Sequence, residues 1–133
     1  MSFERDILRW QQKAEAAMTA TLRESAQDLT EEMLQPRARG GNMPVDTGFL
    51  RNSFVGAVNS IPSGPTAGED RAFDMRPLII AINQANLGDR LVIGTAAAYA
   101  GVMEARYAYL RSAVQNWPQI AENAARKVRR EIG

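Results

Sequence analysis

Apolar residues recur at helical spacing at both ends of the chain and at strand-like spacing only in its middle. Phe3, Ile7, Trp10, Ala14, Ala17 and Thr21 step by four and three, and Leu22, Ala26, Leu29 and Met33 carry the stripe onward. Neither proline nor glycine interrupts this run before Pro36. The spacing therefore predicts one helix over residues 2–34, capped by the Ser2 hydroxyl and ended by Pro36. At 1.5 Å per residue such a rod is roughly 48 Å long. A compact fold of 133 residues is only about 36 Å across. Either the helix is broken, or part of its stripe packs on a neighbouring subunit.

A second stripe, Leu110, Val114, Trp117, Ala121, Ala124, Val128 and Ile132, predicts a helix over residues 109–132. Pro118 must kink or restart it, with Asn116 and Gln119 as a capping pair for the restart. Arg126, Lys127, Arg129 and Arg130 crowd its last turns, where cations meet the negative end of the helix dipole. A patch for an acidic neighbour is the alternative use of those charges. Residues 54–58 and 90–94 read as strands and are expected to pair antiparallel, with Gly56 as a weak point. Pro77 opens the apolar run 78–82; proline at a first helical position favours a short helix, while the β-branched content also suits a strand. Residues 96–108 are helix-permissive. The expected fold is α+β: long N-terminal and C-terminal helices on a small antiparallel sheet, with short helices and an extended loop, all in one domain over 1–133. Within it the long helix takes 2–34, the corner and sheet 44–95, and the C-terminal helix 109–132.

The most informative stretch is Pro44-Val45-Asp46-Thr47-Gly48-Phe49-Leu50-Arg51-Asn52-Ser53-Phe54. Pro44 keeps the chain extended, Asp46 or Thr47 caps a short helix, and Phe49, Leu50 and Phe54 supply its apolar contacts. Arg51 and Asn52 fall on the other side, so Arg51 is expected to have no role in the core. Ahead of this corner, residues 35–43 form a basic, glycine-bearing loop that is expected to be solvated; in a ring around DNA, Arg37 and Arg39 are the candidates for phosphate contacts. Behind it, residues 60–76 are rich in proline, glycine and charge and predict a long loop, mobile until it meets a neighbour. Glu69, Asp70 and Asp74 lack the spacing of a calcium loop and read as solvated charge.

The corner resembles the signature of a tail-completion, or head–tail joining, family of long-tailed bacteriophages and prophages (the putative tail-component, minor tail Z-like group). In that family a P-V-D-T-G-x-L-R-x-S segment follows a long N-terminal helix, and Pro44 to Ser53 has that pattern. A second landmark, an apolar strand ending in Gly and then a Tyr-Ala…Glu segment, is similar to Leu91-Val92-Ile93-Gly94-Thr95 followed by Tyr99-Ala100-Gly101-Val102-Met103-Glu104. Many relatives carry a Gly-Thr pair soon after the Glu, where this chain has Ala105-Arg106-Tyr107. The resemblance implies a structural virion protein of the neck or tail, assembled in the host cytoplasm. It implies a homo-oligomeric ring, by analogy a hexamer, that completes the tail and joins it to the head. Its partners would be an adaptor or stopper, the tail terminator, the tail tube and genomic DNA in the channel. Pro44, Asp46, Thr47, Gly48, Leu50, Arg51, Tyr99 and Glu104 are the motif positions expected at structural or interface contacts.

Composition narrows the alternatives without choosing between them. The apolar fraction is 45% and the charged fraction 23%, ordinary for a folded chain, and the net charge is +1. There is no cysteine and no histidine, which removes disulfides, thiolate or imidazole zinc sites and Ser–His–Asp chemistry. Glu104, one carboxylate without a histidine or second acid beside it, is poor catalytic machinery and reads as a structural or interface acid, with Arg51 as its candidate partner. No catalytic residue, cofactor or metal is expected, nor a membrane segment, since no apolar run is long enough. Lys13 and Lys127 are the only lysines, and arginine favours desolvated, bidentate contacts. That bias supports one competing reading, a small nucleic-acid-associated or regulatory protein of a prophage. Aromatic residues interleaved with basic ones would favour it, a pattern this chain lacks.

Overall fold

The computed structural model describes residues 2–45, 49–64, 74–97 and 100–132. Helix α1 spans Phe3–Met33 without interruption, and the Ser2 hydroxyl accepts from the Arg5 amide at 3.1 Å, as its position at the N-cap requires. Thirty-one residues make a rod of about 46 Å. Of the two expectations for this helix, the broken one is excluded. Burial along it is lopsided: residues 2–13 are all exposed, partial burial begins at Ala14, and full burial is reached at Ser25.

The remaining elements gather around the C-terminal half of α1. They are α2 (Phe49–Asn52), β1 (Val55–Val58), α3 (Arg76–Gln84), β2 (Leu91–Gly94), α4 (Ala100–Tyr107), α5 (Tyr109–Gln115) and α6 (Trp117–Ile132). β1 and β2 pair antiparallel, Val55 opposite Gly94 and Val58 opposite Leu91, which is the expected sheet. The connection back into β2 is pinned by Asn59, whose side chain accepts from the Arg90 amide at 2.9 Å and donates to Asp89 at 3.0 Å. Residues 78–82 are helical, with Pro77 in the first turn of α3. α3 lies so close on the sheet that a Cβ at Gly56 would stand 2.9 Å from the Ala81 Cβ. Gly56 is therefore a point of close approach rather than a weak point.

The C-terminal stripe is divided between two helices that meet at Asn116, with Pro118 in the first turn of the second. The expected Asn116–Gln119 capping pair does not form. Asn116 instead donates to Glu32 of α1 at 2.7 Å, and Gln119 donates to Asn123. Lys127 meets Glu24 at 2.8 Å, so α6 runs antiparallel to α1 from Glu32 back towards Ala14. The first third of α1, residues 2–13, is left exposed by this packing. Most of the predicted loop, residues 65–73, lies outside the described residues, as do Glu69 and Asp70; Asp74 is bound by Arg76.

Candidate functional site

The last carbonyls of an α-helix have no partner within it and carry its negative dipole. The last turn of α1 holds no basic residue of its own. Arg51, from α2, supplies one: its Nε donates to the Leu34 carbonyl at 3.0 Å. This corrects the expectation that Arg51 stands apart from the core. It is half-buried, and burial first, then the neighbouring Arg39 cation, lower its pKa from the ordinary arginine value. Losing a partly buried, charge-assisted hydrogen bond at a helix end costs about 1–2 kcal/mol. Arg51→Ala is therefore expected to lower stability by that amount, with Arg51→Lys in between, as read by urea unfolding. A midpoint equal to the parent's would remove the capping role.

The segment between α1 and α2 is also tighter than its composition suggests. Residues 37–39 form a 3-10 turn, and the chain then doubles back. Met43 donates to the Gln35 carbonyl at 3.0 Å, Arg37 to the Met43 carbonyl at 3.1 Å, and Gly41 to the Pro36 carbonyl at 3.0 Å. Met43 is wholly buried and joins Leu34, Leu50, Phe54, Leu78 and Tyr109 in the core. The expectation of a merely solvated loop is thus corrected. Arg37 lies over the Tyr107 ring, 4.6 Å from its centroid, a cation–π contact within the fold. Arg39 borders a cleft of about 540 Å³ that Asp28, Glu31 and Glu32 also line. Burial raises the pKa of Asp28, and Glu24 and Glu31 raise it further against the opposing pull of Lys127.

The two landmarks of the sequence meet in space. Ser53, fully buried, donates to the Leu50 carbonyl at 2.7 Å and bonds the Thr95 hydroxyl, which in turn accepts from the Ala97 amide at 3.1 Å. Phe54 packs edge-on against Tyr109 at 6.1 Å, and the Tyr109 hydroxyl donates to the Ala100 carbonyl at 3.1 Å. Burial, and secondarily Glu104, raise the Tyr109 pKa. Glu104 is not the partner of Arg51: the ion pairs among the described residues join other side chains. Its Oε1 accepts from the Arg111 amide at 2.8 Å, one of the orphan N–H groups at the start of α5. That service is needed because Ala108, in the left-handed region at φ 53°, has no side chain to cap α5. Glu104 Oε2 is buried with no hydrogen bond from the described residues. Pro44 is half-buried and Leu50 buried. Asp46, Thr47, Gly48 and Tyr99 lie outside the described residues.

Among the described residues, the corner's side chains Arg51, Ser53 and Phe54 serve contacts within the fold. Phe3 is 77% exposed and Trp10 71%, with Ile7 and Leu8 about half exposed beside them. A cluster of large apolar side chains exposed on one helix is a feature commonly found where a surface meets another molecule. Among the described residues no group of acidic, histidine or cysteine side chains is placed to hold a metal, and no helix is long and apolar enough to cross a membrane. Compared with protein-family models, curated proteins and solved structures, the chain matches none.

Proposed function

We propose that this chain is a structural subunit of the neck or tail of a long-tailed phage or prophage, one that completes the tail and joins it to the head as part of a homo-oligomeric ring. The motif resemblance motivates the reading, and the observation that supports it is the exposed first third of α1, its overhang. The C-terminal half of α1 is clamped by α5, α6 and the Arg51 cap, so the overhang is held rigidly by the same helix that builds the core. Burying what remains exposed of Phe3, Ile7, Leu8 and Trp10 against a neighbour would contribute roughly 4–8 kcal/mol. Association costs about 4–15 kcal/mol. A single such contact therefore lies near balance, and closure of a ring or a template on the particle tips it. That is the behaviour an assembly component needs: contacts that open readily in the free chain and become stable in the finished junction.

This reading makes the chain a non-enzymatic virion component without cofactor. The nucleic-acid reading gains nothing from the geometry, because Arg37 is stacked on Tyr107 and Arg39 borders an acidic cleft rather than a basic stripe. Location in the particle is the test. Antibody labelling of purified particles should place the chain at the head–tail junction, in several copies per particle by quantitative mass spectrometry. Its absence from purified particles with normally joined heads and tails would overturn the proposal.

A further inference from the structure

On the overhang of α1, Phe3, Ile7, Trp10 and Ala14 follow one another at steps of four, three and four, the seam spacing of a two-stranded coiled coil. One flank of this seam carries Glu4 and Gln11, the other Asp6 and Lys13. None of the ion pairs among the described residues uses Asp6 or Lys13. At the base of the seam, beside the last turns of α6, Lys13, Ala14, Ala17, Met18 and Val128 line an apolar groove of about 510 Å³. Trp10, Thr21, Ala125 and Arg129 complete its lining, so small side chains at Ala14, Ala17 and Ala125 leave room in it, and the side chain at the far end of the seam is the exposed Phe3. From Phe3 to Ala14 is about 16 Å along the helix.

We propose that this groove and seam are covered by a second copy of the chain, through antiparallel two-fold pairing of the α1 overhangs centred between Leu8 and Arg9. That register seats each Phe3 over the partner's Ala14, in the groove, and sets each Ile7 against the partner's Trp10. Large meets small at the ends, and the two middle side chains interdigitate. The same register places Asp6 opposite the partner's Lys13, twice, because a two-fold interface repeats every contact. The alternatives are repelled or indifferent. Sliding by one heptad in one direction opposes Lys13 to the partner's Lys13, and in the other Asp6 to the partner's Asp6, like-charge contacts that disfavour both slips. In a parallel pairing Asp6 would face Gln11 and Lys13 would face Met18, so no opposite charges meet. Charge and size thus select one arrangement.

Two-fold pairing does not close a ring. Under the assembly reading above, on which only this consequence rests, the pair is the form of the free chain, and it must open before the overhang engages the particle. The pairing itself stands independently of that reading.

Sedimentation of the full chain at micromolar concentration tests it. The parent should sediment as a dimer. Asp6→Lys and Lys13→Asp should each weaken dimerisation on the order of tenfold, by turning two attractive contacts into repulsive ones. The double variant D6K/K13D should recover the parent's affinity, and a mixture of the two single variants should form heterodimers. Both positions are exposed, so circular dichroism should show an unchanged fold. A monomeric parent, a larger ring, or a double variant no tighter than the singles would overturn the proposal, whatever the particle experiments show.

Discussion

Replacing Gly41 by alanine is expected to cost more than about 3 kcal/mol, a large share of the ~5–15 kcal/mol that holds a domain folded. A Cβ at Gly41 would stand 2.1 Å from the Gln35 carbonyl oxygen and 2.6 Å from its carbon. Both are backbone atoms, and neither side of the clash is free to yield. Gln35 accepts from the Met43 amide, Gly41 donates to Pro36, and Met43 is locked in the core at 0% exposure. Relief would require opening the doubled-back segment and withdrawing Met43 from Leu34 and Leu50. Gly40 is the internal control. It has φ +90° but open space where a Cβ would go, so Gly40→Ala should cost only the left-handed backbone strain, about 1–2 kcal/mol. Urea unfolding of the two variants reads the difference. If Gly41→Ala unfolds within about 0.5 kcal/mol of the parent, the tight corner described above is wrong.

Much of this architecture was legible in the sequence because single residues carried strong local signals. The Ser2 cap, the unbroken helix up to Met33, the antiparallel pairing of the two short strands and the helix behind Pro77 each follow from a cap, a period or a proline. The over-long helix also pointed to its unburied third, since a rod longer than the domain cannot be covered by it. What could not be read was long-range hydrogen bonding. Arg51 lies seventeen residues after Leu34 in sequence, and no periodicity reveals that its Nε closes the end of α1. Glu104 was assigned a structural role but the wrong partner, because its service to α5 depends on Ala108 adopting a left-handed conformation that the residue type does not announce. The segment 35–43 was read as solvated from its arginines and glycines; the buried Met43 was the one contrary sign, and a lone methionine is weak evidence. The acidic face of α1 was missed for a different reason. Glu24, Asp28 and Glu31 continue the heptad line begun by Phe3, but the apolar stripe was followed instead along Leu22, Ala26, Leu29 and Met33, which turns it away from those charges.

The corner and the overhang divide the work of the chain. Arg51, Ser53, Thr95 and Glu104 satisfy backbone and hydroxyl groups at the junctions between elements, and their loss is expected to lower stability. Among the described residues no such bond involves Ile7 or Trp10, and both side chains are largely exposed on a helix anchored elsewhere. Their loss is expected to be felt only in assembly.

That separation gives the most direct test of the proposed function: head–tail joining by particles supplied with the double variant Ile7→Ala, Trp10→Ala, measured alongside its thermal unfolding. Both side chains are surface-exposed, so the melting transition should stay within the scatter of surface substitutions, about 0.5 kcal/mol. The yield of joined particles should fall on the order of a hundredfold, the scale expected when an aromatic anchor and its neighbour are removed from the centre of an interface. A variant that folds as the parent does and joins heads to tails at the parent's yield would contradict the account.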